Sequence, residues 1–244
     1  MFILEGNNGV GKSTFLKIMQ EHAPDIAVIQ ESVENWSFQL HGQSLLGNFY
    51  QHPTRWAYTM ETFTMLTRVR EYMHHQRHAQ PMSLMERSVY SGHYCFAKNG
   101  QAEGFFTPIE WEVYSRWIDF MLLANCQPPR GFIYLRTDPE TCFQRLRERA
   151  RVGEEAVTLA YMQQLHDWHE KYLISREGVD PAVARVPVLV LDASVDLRQH
   201  ADAAVDYVKR TRAFMQQLTE QPVVPGALVQ PARVAAISAM VGCK

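Results

Sequence analysis

The chain has 244 residues, 46% of them hydrophobic, and its 24 Lys and Arg against 26 Asp and Glu give a formal net charge of −2. This composition supports one α/β domain with a substantial core, and its charge balance argues against a nucleic-acid-binding protein. No apolar run is long enough to span a bilayer, and no signal or transit segment is recognisable. The four cysteines form neither a Cys-x-x-Cys pair nor a zinc pattern, so we expect reduced thiols and a cytoplasmic location.

Predicted strands and helices alternate along the chain. The predicted strands cover Phe2–Glu5, 26–30, 82–85, Phe132–Arg136 and 188–191, and the predicted helices cover 12–23, 55–78, 107–124, 139–150, 159–174 and 201–218. The helix from 107 has a start signal, with Thr107 as N-cap, Pro108 in the first position and Glu110 completing a capping box. The alternation predicts a parallel sheet with helices on both faces, in a domain spanning residues 1–220. Residues 221–244 are rich in Pro, Val, Ala and Gly, and we expect a weakly ordered or peripheral tail.

A phosphate-binding loop is predicted between the first strand and the first helix. The pattern G-x-x-x-x-G-K-[ST] is complete here, and the candidate phosphate-binding residues are Gly6, Asn7, Asn8, Gly9, Val10, Gly11, Lys12, Ser13 and Thr14. Glycines let backbone N–H groups approach phosphate oxygens, and the helix start adds a partial positive charge. The alternative is a glycine-rich turn with a chance lysine. The motif predicts nucleotide binding but does not identify the phosphate acceptor.

Four further segments follow in order: E-S-V-E-N-W at 31–36, Y-Q-H-P-T-R-W-A-Y-T-M-E-T-F at 50–63, M-E-R-S-V-Y-S at 85–91, and R-L-R-E-R-A-R at 145–151. Together with the phosphate loop they resemble the deoxynucleoside kinases, a family that includes the insect multisubstrate enzyme and the mammalian deoxycytidine, deoxyguanosine and mitochondrial thymidine kinases. The resemblance runs from about residue 2 to about residue 212. It implies a P-loop NTPase-type five-stranded parallel sheet, a helical arginine-rich lid at about 144–156, ATP and Mg²⁺, a deoxynucleoside substrate and a homodimer.

The resemblance also implies catalytic roles. Glu31 corresponds to the general base that takes the proton of the 5′-hydroxyl, which suits a carboxylate within hydrogen-bond distance of an attacking alcohol. Trp36 corresponds to a pocket-lining residue, and the segment departs from the family where Ser32 replaces a proline. Arg87 corresponds to the arginine that binds the 5′-oxygen and the transferred phosphoryl group. Glu86 is expected to hold Mg²⁺ with Ser13.

The lid and sugar contacts are likewise implied by resemblance. Arg145, Arg149 and Arg151 are candidates for closing over the phosphates, with a solvated basic helix face as the alternative. Tyr50 and Glu154 correspond to the residues that contact the 3′-hydroxyl.

The predicted base pocket departs from the family. Met60 stands where an aromatic residue is usual and Glu61 where a base-reading glutamine is usual, while Phe96 corresponds to the ring that stacks on the base. Ionised glutamate offers only acceptors, which suits the adjacent donors of guanine unless burial protonates the carboxyl. Arg68 resembles an arginine that pairs with an aspartate in deoxycytidine and deoxyguanosine kinases. Because that position is Gly92 here, we expect Arg68 to pair with Glu61, and base preference stays open with a lean towards guanine or broad specificity.

Two alternatives remain open. A nucleoside monophosphate kinase similar to thymidylate kinase has a phosphate acceptor and would need arginines where Glu31 and Glu154 stand. A catalytically silent subunit of this fold would be expected to lose Lys12, Glu31 or Arg87, all of which are present.

Overall fold

The computed structural model describes residues 1–31, 39–78, 80–123, 125–151 and 154–220. The predicted tail at 221–244 and the candidate residue Trp36 lie outside the described residues. Within the described part of the chain, no helix is both long enough and apolar enough to cross a membrane.

The elements alternate much as the sequence predicts. The strands are β1 (Phe2–Glu5), β2 (Ala27–Ile29), β3 (Gln39–Leu40), β4 (Gln43–Ser44), β5 (Ser83–Glu86), β6 (Phe132–Arg136) and β7 (Val188–Asp192). The helices are α1 (Lys12–His22), α2 (Leu45–Gln51), α3 (Pro53–His78), α4 (Val89–Ser91), α5 (Lys98–Ala102), α6 (Pro108–Ile118), α7 (Pro139–Arg149), α8 (Leu159–Glu170), α9 (Pro181–Ala184) and α10 (Ala201–Glu220). π-helical turns over Gly92–Ala97, Asp119–Leu123 and Lys171–Ser175 continue α4, α6 and α8.

The main sheet has the strand order β2-β5-β1-β6-β7, and every pairing in it is parallel. Alternate residues of a strand face opposite sides of the sheet, so Ile3 packs into one apolar core while Phe2 and Leu4 pack into the other. Each face is therefore covered by helices, as expected for a parallel sheet. The predicted fold class is confirmed.

Helix α6 begins as predicted. Thr107 Oγ1 accepts a hydrogen bond from the Glu110 N–H at 3.3 Å, and the Glu110 carboxylate accepts one from the Thr107 N–H at 2.8 Å. The prediction of one regular helix over 107–124 is wrong at its C-terminal end, where Asp119–Leu123 forms a π-helical turn. The β3–β4 hairpin and α2 were not predicted, because their strands are too short for a periodic signal.

Candidate active site

The phosphate loop joins the end of β1 to the start of α1. Its glycines have left-handed backbone angles, with φ of 147° at Gly6, 75° at Gly9 and 108° at Gly11. A Cβ atom on Gly9 would lie 2.2 Å from the Cys142 carbonyl oxygen, so this position also excludes a side chain for want of space. The sequence therefore forms the tight turn that the phosphate motif predicts.

Lys12 is buried at the floor of this loop. Its Nζ atom donates to the carbonyl oxygens of Gly6 at 3.0 Å and Asn7 at 2.9 Å. Burial and then the nearby positive charge of Arg87 lower the pKa of Lys12 to about 7. A bound polyphosphate would supply the negative charge that this ammonium group lacks.

The predicted general base and the predicted phosphoryl-binding arginine lie side by side. Strands β2 and β5 are neighbours in the sheet, and Glu31 and Arg87 follow their carboxyl ends. The Nε atom of Arg87 is 3.4 Å from Glu31 Oε2, and Arg68 donates to Glu31 Oε1 from Nη2 at 2.8 Å and from Nε at 3.2 Å. Burial acts to raise the pKa of Glu31, but the charges of Arg68 and Arg87 outweigh burial and hold it below its ordinary value.

Arg87 has a left-handed backbone conformation, with φ of 60°. Its Nη2 atom donates to Asn8 Oδ1 in the phosphate loop at 3.0 Å, and its guanidinium carbon lies 4.7 Å from the centre of the Phe96 ring. The arginine thus reaches both the phosphate loop and the aromatic side of the cavity.

The two predicted magnesium ligands are also brought together. Ser13 Oγ donates to Glu86 Oε1 at 3.1 Å, at the mouth of the phosphate loop. Within the described ranges no cluster of three or more His, Cys, Asp or Glu side chains has metal-binding geometry. The hydroxyl and carboxylate oxygens nevertheless fit Mg²⁺, which takes few protein ligands beside phosphate oxygens.

The lid arginines have distinct partners. Arg149 Nη2 contacts both carboxylate oxygens of Glu154, at 2.9 and 2.7 Å, and Arg151 lies 3.8 Å from the same carboxylate. Arg145 donates instead to the carbonyl oxygens of Ala193 at 2.8 Å and Ser194 at 3.0 Å, in the loop after β7. Only part of this predicted basic cluster therefore faces the sugar end of the cavity.

Tyr50 lies at the sugar end of the cavity. Its ring packs edge to face with Tyr161 at 6.0 Å, and burial followed by the charge of Glu154 raises the pKa of its hydroxyl. The hydroxyl is thus a proton donor at neutral pH and a suitable partner for a sugar oxygen.

Glu61 corrects one expectation from the sequence. The carboxyl group is only 6% exposed, and among the described residues it forms no ion pair, while the hydrogen bonds of Arg68 to described residues go to Glu31. Burial raises the pKa of Glu61 to about 7, with Arg68 opposing this only in part. The predicted pairing that would hold Glu61 ionised is therefore wrong.

One cavity of about 620 Å³ connects these groups. Of the predicted site residues it is lined by Asn8, Gly9, Val10, Gly11, Lys12, Ser13, Thr14, Glu31, Tyr50, Met60, Glu61, Arg68, Glu86, Arg87, Phe96, Arg145, Arg149, Arg151 and Glu154. Four lining residues were not predicted: Leu46, Phe49, Thr64 and Tyr161. Thr64 could have been found from helical spacing, because it lies between Glu61 and Arg68 on α3.

Comparison with known proteins agrees with this geometry. A family model described as "Deoxynucleoside kinase" matches residues 2–216. Deoxycytidine kinase 2 of Gallus gallus is 35% identical over 220 residues, covering 80% of this chain and 82% of that protein. Mitochondrial deoxyguanosine kinase of Xenopus laevis is 33% identical over 88% of this chain and 89% of that protein.

Mitochondrial thymidine kinase 2 of Macaca fascicularis is 37% identical over 78% of this chain and 69% of that protein. Because two of these relatives carry a mitochondrial name, the expected cytoplasmic location stays a prediction. The match over nearly the whole described chain is decisive for the family. This chain belongs to the deoxynucleoside kinase family, whose members are ATP-dependent phosphotransferases.

Proposed function

We propose that this chain transfers the γ-phosphoryl group of ATP to the 5′-hydroxyl of a deoxyribonucleoside, giving the 5′-monophosphate. The observation that carries the proposal is the place of Glu31: an ionised carboxylate opening on the same cavity as the phosphate loop, with Arg87 Nε at 3.4 Å. A carboxylate there suits a hydroxyl acceptor, whereas a phosphate acceptor would be repelled by it. This favours a nucleoside kinase over a nucleoside monophosphate kinase.

In the proposed reaction, Glu31 accepts the proton of the 5′-hydroxyl as that oxygen attacks the γ-phosphorus. The bond from γ-phosphorus to the β,γ-bridging oxygen breaks, and ADP leaves. Lys12 and Arg87 face the phosphate loop and balance the charge that develops on the phosphoryl oxygens.

Ser13 and Glu86 are the residues that would hold Mg²⁺, because their oxygens already lie 3.1 Å apart beside the loop. When bound, the ion supplies charge neutralisation at the β- and γ-phosphate oxygens.

Glu154 and Tyr50 are proposed to bind the 3′-hydroxyl, one as acceptor and one as donor. Arg149 fixes the Glu154 carboxylate through both oxygens, which leaves its outer lone pairs directed by the lid. We assign Arg149 and Arg151 to the lid over the phosphates, and Arg145 to the loop after β7 that would contact the ATP base.

Base preference is proposed to follow the protonation of Glu61. The ionised carboxylate accepts from the two adjacent donors of guanine, whereas the protonated carboxyl offers one donor and one acceptor, as glutamine does. With a pKa of about 7, both forms are populated near neutral pH. This favours guanine above pH 7 and broader acceptance below it, with Met60 and Phe96 forming the apolar surroundings.

A homodimer is proposed through α6. The helix and its π-helical turn expose Ile109, Val113, Trp117 and Phe120, with Trp117 45% and Phe120 52% exposed, and Leu66 is exposed on the neighbouring helix α3. A contiguous apolar face of this kind is typical of an interface between protein chains. A second copy of the chain is the partner that the resemblance implies.

The test is a panel assay with purified protein, Mg²⁺, ATP and each of the four deoxynucleosides, read as ADP release. We expect activity with at least one deoxynucleoside, and Glu31→Gln should lower turnover by about 10²-fold or more while leaving ATP affinity nearly unchanged. Near wild-type turnover in that variant would refute the role of Glu31. No response to any deoxynucleoside, with activity on a monophosphate, would establish the rival kinase class instead, and no response to either would favour the silent subunit.

A further inference from the structure

Arg68 connects two parts of the cavity that have different tasks. It lines the wall of the proposed base pocket with Glu61, Thr64 and Phe96, yet its guanidinium donates two hydrogen bonds to a single oxygen of Glu31. The two side chains are 11% and 12% exposed, so solvent screens this ion pair only weakly. One guanidinium therefore touches both the base pocket and the proposed general base.

The space around Arg68 is shaped for this contact. A Cβ atom on Gly92 would lie 3.0 Å from Arg68 Nη1 and 3.3 Å from the terminal carbon of Met65. The backbone of Gly92 has φ of −52°, which any residue adopts, so its conformation does not require glycine. The missing side chain instead leaves room for the arginine, which then reaches across to Glu31.

The remaining charges around Glu31 leave Arg68 a separate part to play. Arg87 approaches the other carboxylate oxygen, Oε2, from the loop after β5, and Lys12 acts from α1 at longer range. Arg68 alone among these three donates hydrogen bonds to the carboxylate, from helix α3. Two fixed donors on Oε1 restrict rotation of the carboxylate and leave Oε2 on the side of Arg87 and the phosphate loop.

We propose that Arg68 is a positioning residue for the phosphoryl-transfer step, acting on the 5′-hydroxyl through the Glu31 carboxylate rather than only through the nucleobase. This inference rests on the proposed function, because it requires Glu31 to act as the base. It implies that changes in the base pocket alter the rate of chemistry as well as substrate affinity.

The charge at Arg68 also favours the ionised form of Glu31. In its absence, the burial of the carboxyl is opposed mainly by Arg87 and by the more distant Lys12. The acid limb of the rate profile, which reports protonation of the base, should then move to higher pH, typically by about one unit or more for loss of an adjacent opposite charge.

The test uses Arg68→Met, Arg68→Lys and, as a matched control, Arg70→Met on the exposed side of the same helix. kcat is measured from pH 5 to 9 with the best deoxynucleoside, and also with 1,4-anhydro-2-deoxyribitol, the same sugar carrying hydrogen in place of the base. Thermal unfolding of each variant establishes that it is folded.

We expect Arg68→Met to raise the acid limb of kcat and to lower kcat on both acceptors by about tenfold or more at pH 6, as follows from a shift of one unit or more. Arg68→Lys, which keeps the charge, should restore most of the acid limb, and Arg70→Met should match wild type. Gly92→Asp provides a second perturbation, because it keeps Arg68 but offers it another carboxylate, and it should move the acid limb in the same direction.

An unchanged acid limb in both Arg68→Met and Gly92→Asp would overturn the inference, even if nucleoside affinity fell. A base-free acceptor that reacts equally well with wild type and Arg68→Met would also overturn it, because Arg68 would then act only on the base. If wild type phosphorylates no deoxynucleoside, the proposed function itself fails, which is a distinct result.

Discussion

Replacing Glu61 by glutamine should stabilise the protein in a pH-dependent way. Burial raises the pKa of this carboxyl from an ordinary 4.5 to about 7, so the folded protein resists ionisation that the unfolded chain permits. The stability associated with the protonated form is complete below the unfolded pKa and is lost as pH rises through the folded one. A shift of about 2.5 pH units corresponds to roughly 3 kcal/mol at pH 8 and above, because each unit is worth about 1.4 kcal/mol.

Glutamine has nearly the shape of a protonated glutamate and does not ionise. Glu61→Gln should therefore raise the free energy of unfolding by roughly 3 kcal/mol at pH 8, by about 2 kcal/mol at pH 6 and by less than about 1 kcal/mol at pH 5. The assay is urea denaturation at these three pH values, with Glu103→Gln as the same change at an exposed site. A difference from wild type that is equal at pH 5 and pH 8 would refute the assignment of Glu61 as a buried, weakly paired acid.

Three further predictions concern the loop, the sugar and the interface. Gly9→Ala should weaken ATP binding by about 100-fold or more in calorimetry, since its Cβ would meet the Cys142 carbonyl at 2.2 Å, whereas Gly104→Ala, with φ of 71° and no atom within 4 Å, should bind ATP normally. Glu154→Gln should lower kcat/KM for a deoxynucleoside by about tenfold but much less for its 2′,3′-dideoxy analogue, and equal losses would contradict a 3′-hydroxyl contact. Phe120→Glu should shift sedimentation from dimer to monomer if α6 forms the interface, and an unchanged species would place the interface elsewhere.

The fold was predictable from the sequence where local signals are strong. The strand, phosphate loop and helix at the start of the chain, and the capping box at Thr107, depend on residues close together in sequence. The order of strands depends on pairings between distant segments, which no local pattern determines. Helix α2 was missed although Ser44 caps it, accepting from the Gly47 N–H at 3.2 Å, because its seven residues hold too few turns to display a period.

The site was predicted less evenly. Residues that follow the carboxyl ends of β1, β2 and β5 converge because the strands are parallel neighbours, and this geometry follows from the sequence once the strands are recognised. The partner of Arg68 could not be obtained in the same way. Seven residues of helix separate Glu61 and Arg68 by about 10 Å along the axis, so sharing a face does not bring them into contact. Glu31, 37 residues away in sequence, lies closer because β2 delivers it to the same wall.

Three buried glutamates in and beneath the cavity differ in their charge, and this difference bears on which of them can act as a base. Glu5 is fully buried beneath the phosphate loop, where burial outweighs its hydrogen bond from Ser88 and raises its pKa. Burial likewise raises the pKa of Glu61 to about 7, since Arg68 opposes it only from a distance. Glu31 is comparably enclosed, yet two arginines within 3.4 Å lower its pKa. A general base must be ionised before the hydroxyl arrives, and of these three carboxyls only Glu31 meets that condition across the neutral range while opening on the phosphate loop.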